Sequence, residues 1–183
     1  MVKKHTKECP HHAEELEYLL ALAEKANSIL EVGSRYGEAL VMMAHRMKKK
    51  GRVVSVDLPG IYPWGCEGSE NYLRNRIGNL NSEGYDAHLF LGDSKDQKIV
   101  EEVRKLGPFD LIFIDGDHRY AGVKADWENY GPMGRVIVFH DLLQHADSAK
   151  HAPEIWMLWK EIEGNKSQFV GNNSNMGLGV VCR

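Results

Sequence analysis

The chain has 183 residues, 43% of them hydrophobic and 27% charged, a balance that fits one soluble domain with a real core and excludes a fibrous or disordered chain. A formal net charge of −3 gives no global basic field, so neither nucleic acid nor a membrane surface is expected as a partner. Cys9, Cys66 and Cys182 are odd in number and far apart, which argues against a disulfide framework, and no CxxC pair marks structural zinc.

Residues 1–10 read as a polar tail and 11–183 as one domain, with no internal repeat. The start, "MVKKHTKECPHH", carries no apolar signal-peptide core, and no apolar run reaches membrane-spanning length, so the expected compartment is a reducing cytoplasm. Leu16, Leu19, Leu20 and Ala23 recur at helical spacing and predict a helix over roughly 12–26. "SILEV" follows as a buried strand. Leu40, Met43 and Met47 mark the next helix, closed by the basic turn Lys48 to Gly51. "VVSVD" is the second strand, and the loop "LPGIYPWGCEGS" leads to a helix near 69–83. "AHLFLGD" predicts a strand, 95–106 a helix, and "FDLIFID" a fourth strand buried on both faces. Tyr120, Val123, Trp127 and Tyr130 form the stripe of another helix, and "RVIVFHD" is the fifth strand. Pro153 opens a helix carrying Ile155, Leu158, Trp159 and Ile162, with Trp156 and Trp159 expected in the core. "SQFVGNNSNMGLGVVCR" closes the chain as two strands and a turn.

Strands alternating with helices imply a doubly wound, mostly parallel sheet with helices on both faces, and the short final connection implies a terminal antiparallel hairpin. Such sheets bind ligands beyond the carboxyl ends of their strands. There the polar residues collect: Glu31 and Gly33, Asp57, Asp93, Asp115, and His140 with Asp141.

In "ILEVGSRYGEA", Gly33 permits a sharp turn, Gly37 permits close approach, and the helix start offers amides to a carboxylate; an ordinary strand-to-helix turn reads equally well. The spacing is not GxGxxG, because Ser34, Arg35 and Tyr36 separate the glycines. Asp57 stands where an acid can accept from ribose hydroxyls, or is a solvated strand end. Asp93 in "LGDS" can accept from an adenine amino group, or Ser94 can cap the next helix.

The succession "LEVGSRYG", "VVSVD", "LGDS", "FIDGDHRYAGVKADW" and "VIVFHD" resembles the class I S-adenosylmethionine (SAM)-dependent methyltransferases. Within them it is similar to the small-molecule O-methyltransferase branch with "IDGDH" and "HD" after strands four and five. The likeness runs from about Ile29 to Asp141, and "GLGVV" fits the last antiparallel strand of a seven-stranded sheet. It implies that Gly33, Ser34 and Gly37 line the methionine end of SAM with Glu31 nearby, and that Asp57 holds the ribose. Asp93 and Ser94 would sit by the adenine, and Asp115 beside the cofactor. The family's usual middle glycine of the first loop is Arg35 here.

A hydroxyl must lose its proton before it attacks a sulfonium methyl group. A divalent cation on carboxylates lowers that pKa, and the Asp115 and Asp141 pair suits Mg²⁺ or Mn²⁺. His140 could add a nitrogen, although strand alternation would turn it away from Asp141. Asp117 and His118 are the candidate bases, His118 through a pKa near neutrality; "GDH" could instead cap the following helix with His118 in solvent. Tyr62, Trp64 and Cys66 could form a lid or pack on the sheet edge. Cys9, His11 and His12 read as tail more readily than as a metal site. The expected acceptor is a sugar or other hydroxylated metabolite, with specificity drawn from the 59–72 and 142–153 loops and from a second copy of the chain in a homo-oligomer. A SAM-binding module without turnover, a macromolecular methyltransferase and a dinucleotide-dependent oxidoreductase are the rival readings.

Overall fold

The computed structural model describes residues 13–58, 60, 68–143, 154–172 and 176–183. The elements in chain order are α1 (Ala13–Ala23), β1 (Ser28–Val32), α2 (Glu38–Arg46), β2 (Arg52–Asp57), α3 (Ser69–Ser82), β3 (Asp86–Leu91), α4 (Gln97–Leu106), β4 (Phe109–Ile114), α5 (Tyr120–Tyr130), β5 (Gly134–Phe139), α6 (Ile155–Glu161), β6 (Asn165–Phe169) and β7 (Leu178–Cys182). Among the described residues seven strands form one sheet in the order β3-β2-β1-β4-β5-β7-β6. β7 runs antiparallel to β5 and β6, and the remaining pairs are parallel. The doubly wound sheet with a closing hairpin is the architecture the alternation predicts.

The near-continuous apolar runs of the central strands have a direct cause: both faces are covered. Leu30, Val54, Ile112, Ile114 and Phe139 point into a layer shared with α4, α5 and α6. Ile29, Val53, Leu111, Phe113 and Val138 point the other way, against α1, α2 and α3. Each such side chain is buried almost completely and stabilises the fold by about 1.5–3 kcal/mol.

Three local readings shift. Helix α1 ends at Ala23 rather than near 26, because the Lys25 and Ala26 amides bond three residues back as the chain tightens into β1. Helix α4 starts at Gln97 because Asp96, not Ser94, caps it, its carboxylate accepting from the Lys98 amide at 2.9 Å. Trp159 is core as expected, but Trp156 is half-buried with the Lys160 ammonium 4.2 Å from its ring centre. No helix among the described residues is long and apolar enough to cross a membrane. The expectations for Cys9, His11 and His12, for Tyr62, Trp64 and Cys66, and for Pro153 lie outside the described residues.

The order of strands fixes where a ligand can enter. From β1 the chain winds outward through β2 to β3, then returns to place β4 on the other side of β1. The connections after β1 and β4 therefore diverge, and a crevice opens between their carboxyl ends.

Candidate functional site

Gly33 joins the two sides of that crevice. Its φ is +90°, and a Cβ there would lie 2.4 Å from the Asp115 carbonyl oxygen and 2.5 Å from the Gly116 Cα. Its amide donates to the Val56 carbonyl, and the Asp115 amide donates to Val32, so three strand ends are stitched at one point. At Gly37 the close approach is to α3: a Cβ would meet Arg76 Cδ at 2.9 Å, and the Arg76 Nε donates to the Tyr36 carbonyl at 2.6 Å. Arg35, at the family's middle glycine, holds a left-handed φ of 53°. Its amide donates to Asp57 Oδ1 at 2.9 Å, which offsets the backbone strain of about 1–3 kcal/mol that a non-glycine residue meets there.

On this side burial, not charge pairing, dominates Glu31 and Asp57. Glu31 is buried, its Oε2 has no hydrogen-bond partner among the described residues, and burial pushes its pKa up to about 8, with the Ser34 hydroxyl pulling the other way. Ser34 is itself held by the Ser55 hydroxyl at 2.7 Å. Burial raises Asp57 to about 6, against hydrogen bonds from the Arg35 and Ser34 amides. Asp93 is exposed and accepts from the Lys95 amide at 2.9 Å, while the Ser94 carbonyl accepts from the Tyr130 hydroxyl at 2.8 Å.

The ends of β4 and β5 behave differently. His118 lies between two carboxylates, Nε2 at 3.2 Å from Asp115 Oδ1 and Nδ1 at 3.0 Å from Asp141 Oδ2. His140 Nδ1 stands 3.1 Å from Asp115 Oδ1 and 3.3 Å from Asp141 Oδ1. Strand alternation would have separated His140 from Asp141. It fails because β5 ends at Phe139 and Asp141 turns into a left-handed φ of 51°, which brings both side chains to one side. Burial alone would raise the Asp115 and Asp141 carboxyls, but the imidazoles hold both below the usual range. Burial would likewise depress His118, yet its two carboxylate partners push it up to about 10. His140 is raised by the same pair against the same burial. A resting His118 near its ordinary pKa is therefore not what the fold provides.

Asp117 does not cap α5; Arg119 holds that position, and Asp117 turns to accept from the Arg119 amide at 3.1 Å and Nε at 2.8 Å. Nor does the His118 ring face open solvent: it is half-buried between the two carboxylates, while its carbonyl accepts from the Glu154 amide at 2.7 Å, and Glu154 Oε2 accepts from the Tyr120 amide at 2.7 Å. No motif singles out Glu154, 34 residues from Tyr120. Asp126 lies outside the motifs too, although a carboxylate inside the apolar stripe of α5 is itself a signal. Among the described residues no three His, Cys, Asp or Glu side chains stand in metal-ligand geometry; the imidazoles separate the carboxylates.

A family model described as a methyltransferase domain matches residues 30–142. An uncharacterised protein of Acanthamoeba polyphaga mimivirus is 29% identical over 160 residues, covering 85% of this chain and 70% of that protein. Ribosomal RNA large subunit methyltransferase E of Treponema denticola is 28% identical over 114 residues, 61% of this chain but only 48% of its own length. Among solved structures, an O-methyltransferase from Bacillus cereus in complex with S-adenosylhomocysteine superposes with a TM-score of 0.69 at 20% identity, over 94% of this chain and 82% of that one.

Proposed function

The chain belongs to this methyltransferase-domain family, with the fold of the class I SAM-dependent enzymes, and we propose that it moves a methyl group from SAM to a hydroxyl oxygen of a small molecule, a sugar or other hydroxylated metabolite. One observation carries the reading: the acid–imidazole cluster of Asp115, His118, His140 and Asp141 lies across the crevice from the glycine turn, joined to it through the contact of Gly33 with Asp115. A cofactor seated on that turn would present its methyl group beside this proton-sharing cluster.

The division of labour follows the two sides of the crevice. Glu31 would accept from the amino group of the methionine moiety, with Ser34 and Gly37 along the same turn. Asp57 would accept from the ribose hydroxyls, and Asp93 with Ser94 would border the adenine. In-line attack needs little from the protein beyond holding oxygen, methyl carbon and sulfur in register. Of the two candidate bases, Asp117 is occupied by Arg119, which together with its hydrogen bonds keeps the carboxyl low against burial and makes it a poor acceptor. His118 is the stronger base once the proton it shares with Asp115 and Asp141 has left.

The donor types, though not their present arrangement, would suit a divalent cation. Asp115 and Asp141 supply carboxylate oxygens, Asp141 Oδ1 is buried without a hydrogen bond, and His140 is within reach of both. Asp115, Asp141 and His140 would hold Mg²⁺ or Mn²⁺, and the bound ion would lower the pKa of the acceptor hydroxyl. His118 would then give up its place between the carboxylates.

The test is methyl transfer from SAM across a panel of sugars and hydroxylated metabolites, with and without chelator. Turnover lost in chelator and restored by Mg²⁺ or Mn²⁺ supports both parts. Full turnover in chelator removes the cation and leaves His118 or Asp117 alone. Binding of SAM with no turnover on any acceptor favours a regulatory module. Transfer to ribosomal RNA, the named role of the Treponema denticola relative, would move the acceptor to a macromolecule.

A further inference from the structure

Helix α1 buries Leu19, Leu20 and Ala23, and one turn before Leu19 the same face carries Glu15, 1% exposed. An apolar residue would continue that stripe, and burying a carboxylate is costly unless it is given partners. Glu15 Oε1 accepts from the Gly177 amide at 2.9 Å, while Oε2 has no hydrogen-bond partner among the described residues. The Gly177 contact is therefore the clue to what this carboxylate does. Gly177 lies just ahead of β7, with a φ of +75°. Its carbonyl accepts from the Leu142 amide at 3.1 Å. A regular strand residue paired in this way would turn its amide toward the same neighbour. Here the left-handed backbone turns the amide away, and Glu15 receives it.

A slip in the sheet falls at the same place. β5 and β7 pair antiparallel, with Val138 opposite Val180 and Phe139 opposite Gly179. Continued, that register would set Asp141 opposite Gly177. Instead Leu142 meets Gly177, and the Leu143 amide donates to the Met176 carbonyl at 2.7 Å, so the β5 side has taken up one extra residue. Such a slip is a β-bulge, a device that re-aims side chains at a strand end. The extra residue falls at His140 and Asp141, where Asp141 holds its left-handed φ of 51°. The bulge sends Asp141 to the side on which His118 and His140 stand.

We propose that Glu15 is a positioning residue for the acid–imidazole cluster: by holding the Gly177 amide it fixes the bulge that aims Asp141 at His118. Without that acceptor the amide turns back on the β5 chain and the bulge relaxes. A slip of one residue then carries the Asp141 side chain to the opposite face. The bearing of Glu15 on catalysis rests on the methyl-transfer reading above; its placing of Asp141 does not.

The experiment is long-range nitrogen–proton NMR correlation of the histidine rings, which reports each ring nitrogen separately. In Glu15→Ala the signal of His118 Nδ1, 3.0 Å from Asp141 Oδ2, is expected to move far from its native position. The signal of His118 Nε2, paired with Asp115, should move much less. Glu15→Gln keeps an oxygen acceptor and should restore the native spectrum; shifts like those of Glu15→Ala would overturn the proposal. Gly177→Ala opposes the same turn from the other end, since its Cβ would lie 3.1 Å from Leu143 Cγ, and should reproduce the Glu15→Ala shifts. Glu14→Ala is the control. Glu14 grips the same β6–β7 connection, accepting from the Asn172 amide at 2.6 Å, so its loss should lower the melting temperature without moving the rings. Native ring signals in folded Glu15→Ala, or equal shifts in Glu14→Ala, would show a merely structural clamp and defeat the idea. If Glu15→Ala does not fold, native ring signals in Gly177→Ala defeat it equally, as does a Gly177 amide in the native protein that exchanges like an open loop. Absence of turnover on every acceptor, with these shifts as expected, would defeat the methyl-transfer reading and leave the placing of Asp141 standing.

Discussion

Glu31 and Asp57 on one side of the crevice and Asp115 and Asp141 on the other are buried strand-end carboxylates in the same sheet, yet their pKa values move in opposite directions. Burial acts the same way on all four. The difference is that Asp115 and Asp141 share His118 and His140, whereas Glu31 and Asp57 are met by the Ser34 hydroxyl and by the Arg35 and Ser34 amides. One side already contains its compensating positive charge. The other side is short of it, which is the condition in which an incoming ammonium or a set of hydroxyl donors gains most. The same residue type thus holds imidazoles on the β4–β5 side and stands without them on the β1–β2 side, where the proposed reading would use it for ligand capture.

The largest effect should come from breaking the joint between the sides. Gly33→Val would place a branched side chain at a φ of +90° and 2.4 Å from the Asp115 carbonyl. S-adenosylhomocysteine binding should fall below detection by calorimetry, with a lowered melting temperature; binding within threefold of native would mean the joint is not where the cofactor lies. Next, His118→Ala should cut the methyl-transfer rate by about 10²–10⁴ if His118 is the base, with cofactor affinity nearly unchanged. A loss of affinity equal to the loss of rate would show that the two sides are not separable. Asp57→Ala should weaken S-adenosylhomocysteine by about 1–3 kcal/mol, the cost of leaving ligand hydroxyls without an acceptor. An unchanged dissociation constant would return Asp57 to a simple strand end that steadies the Arg35 turn.

The finest test reads protons. With its pKa raised to about 8, Glu31 is mostly protonated at pH 7, whereas pairing with a ligand ammonium requires the carboxylate. Binding at pH 7 should therefore release close to one proton, seen as a dependence of calorimetric heat on the buffer's ionisation enthalpy. The release should fade above pH 8, and Glu31→Gln should abolish it. The sign also fixes a stability effect: because folding raises this carboxyl's pKa, Glu31 disfavours the folded state progressively as pH climbs from about 4.5 toward 8. Glu31→Gln should remove that slope from the melting temperature. Absence of proton release in the native protein would place the ligand's amino group elsewhere.

Much of this was legible in the chain itself. Runs such as "FDLIFID" and "VVSVD" announce strands covered on both faces, because only a two-sided core tolerates that many consecutive apolar residues. Their alternation with helices settles the sheet, and the order of Glu31, Gly33, Asp57, Asp93, Asp115 and Asp141 at strand ends locates the crevice, because every parallel strand ends on the same edge. Local caps were less legible: Ser94 and Asp96 both suit an N-cap, and only backbone geometry chose Asp96. What the tertiary structure alone decided is how the polar residues are paired. That His118 would span Asp115 and Asp141, that a left-handed turn at Asp141 would bring His140 alongside, and that Asp126 would end up against Gly116 all depend on side-chain direction after the strands end. Periodicity stops there, and distances of an ångström or two determine which carboxylate meets an imidazole and which is left waiting for a ligand.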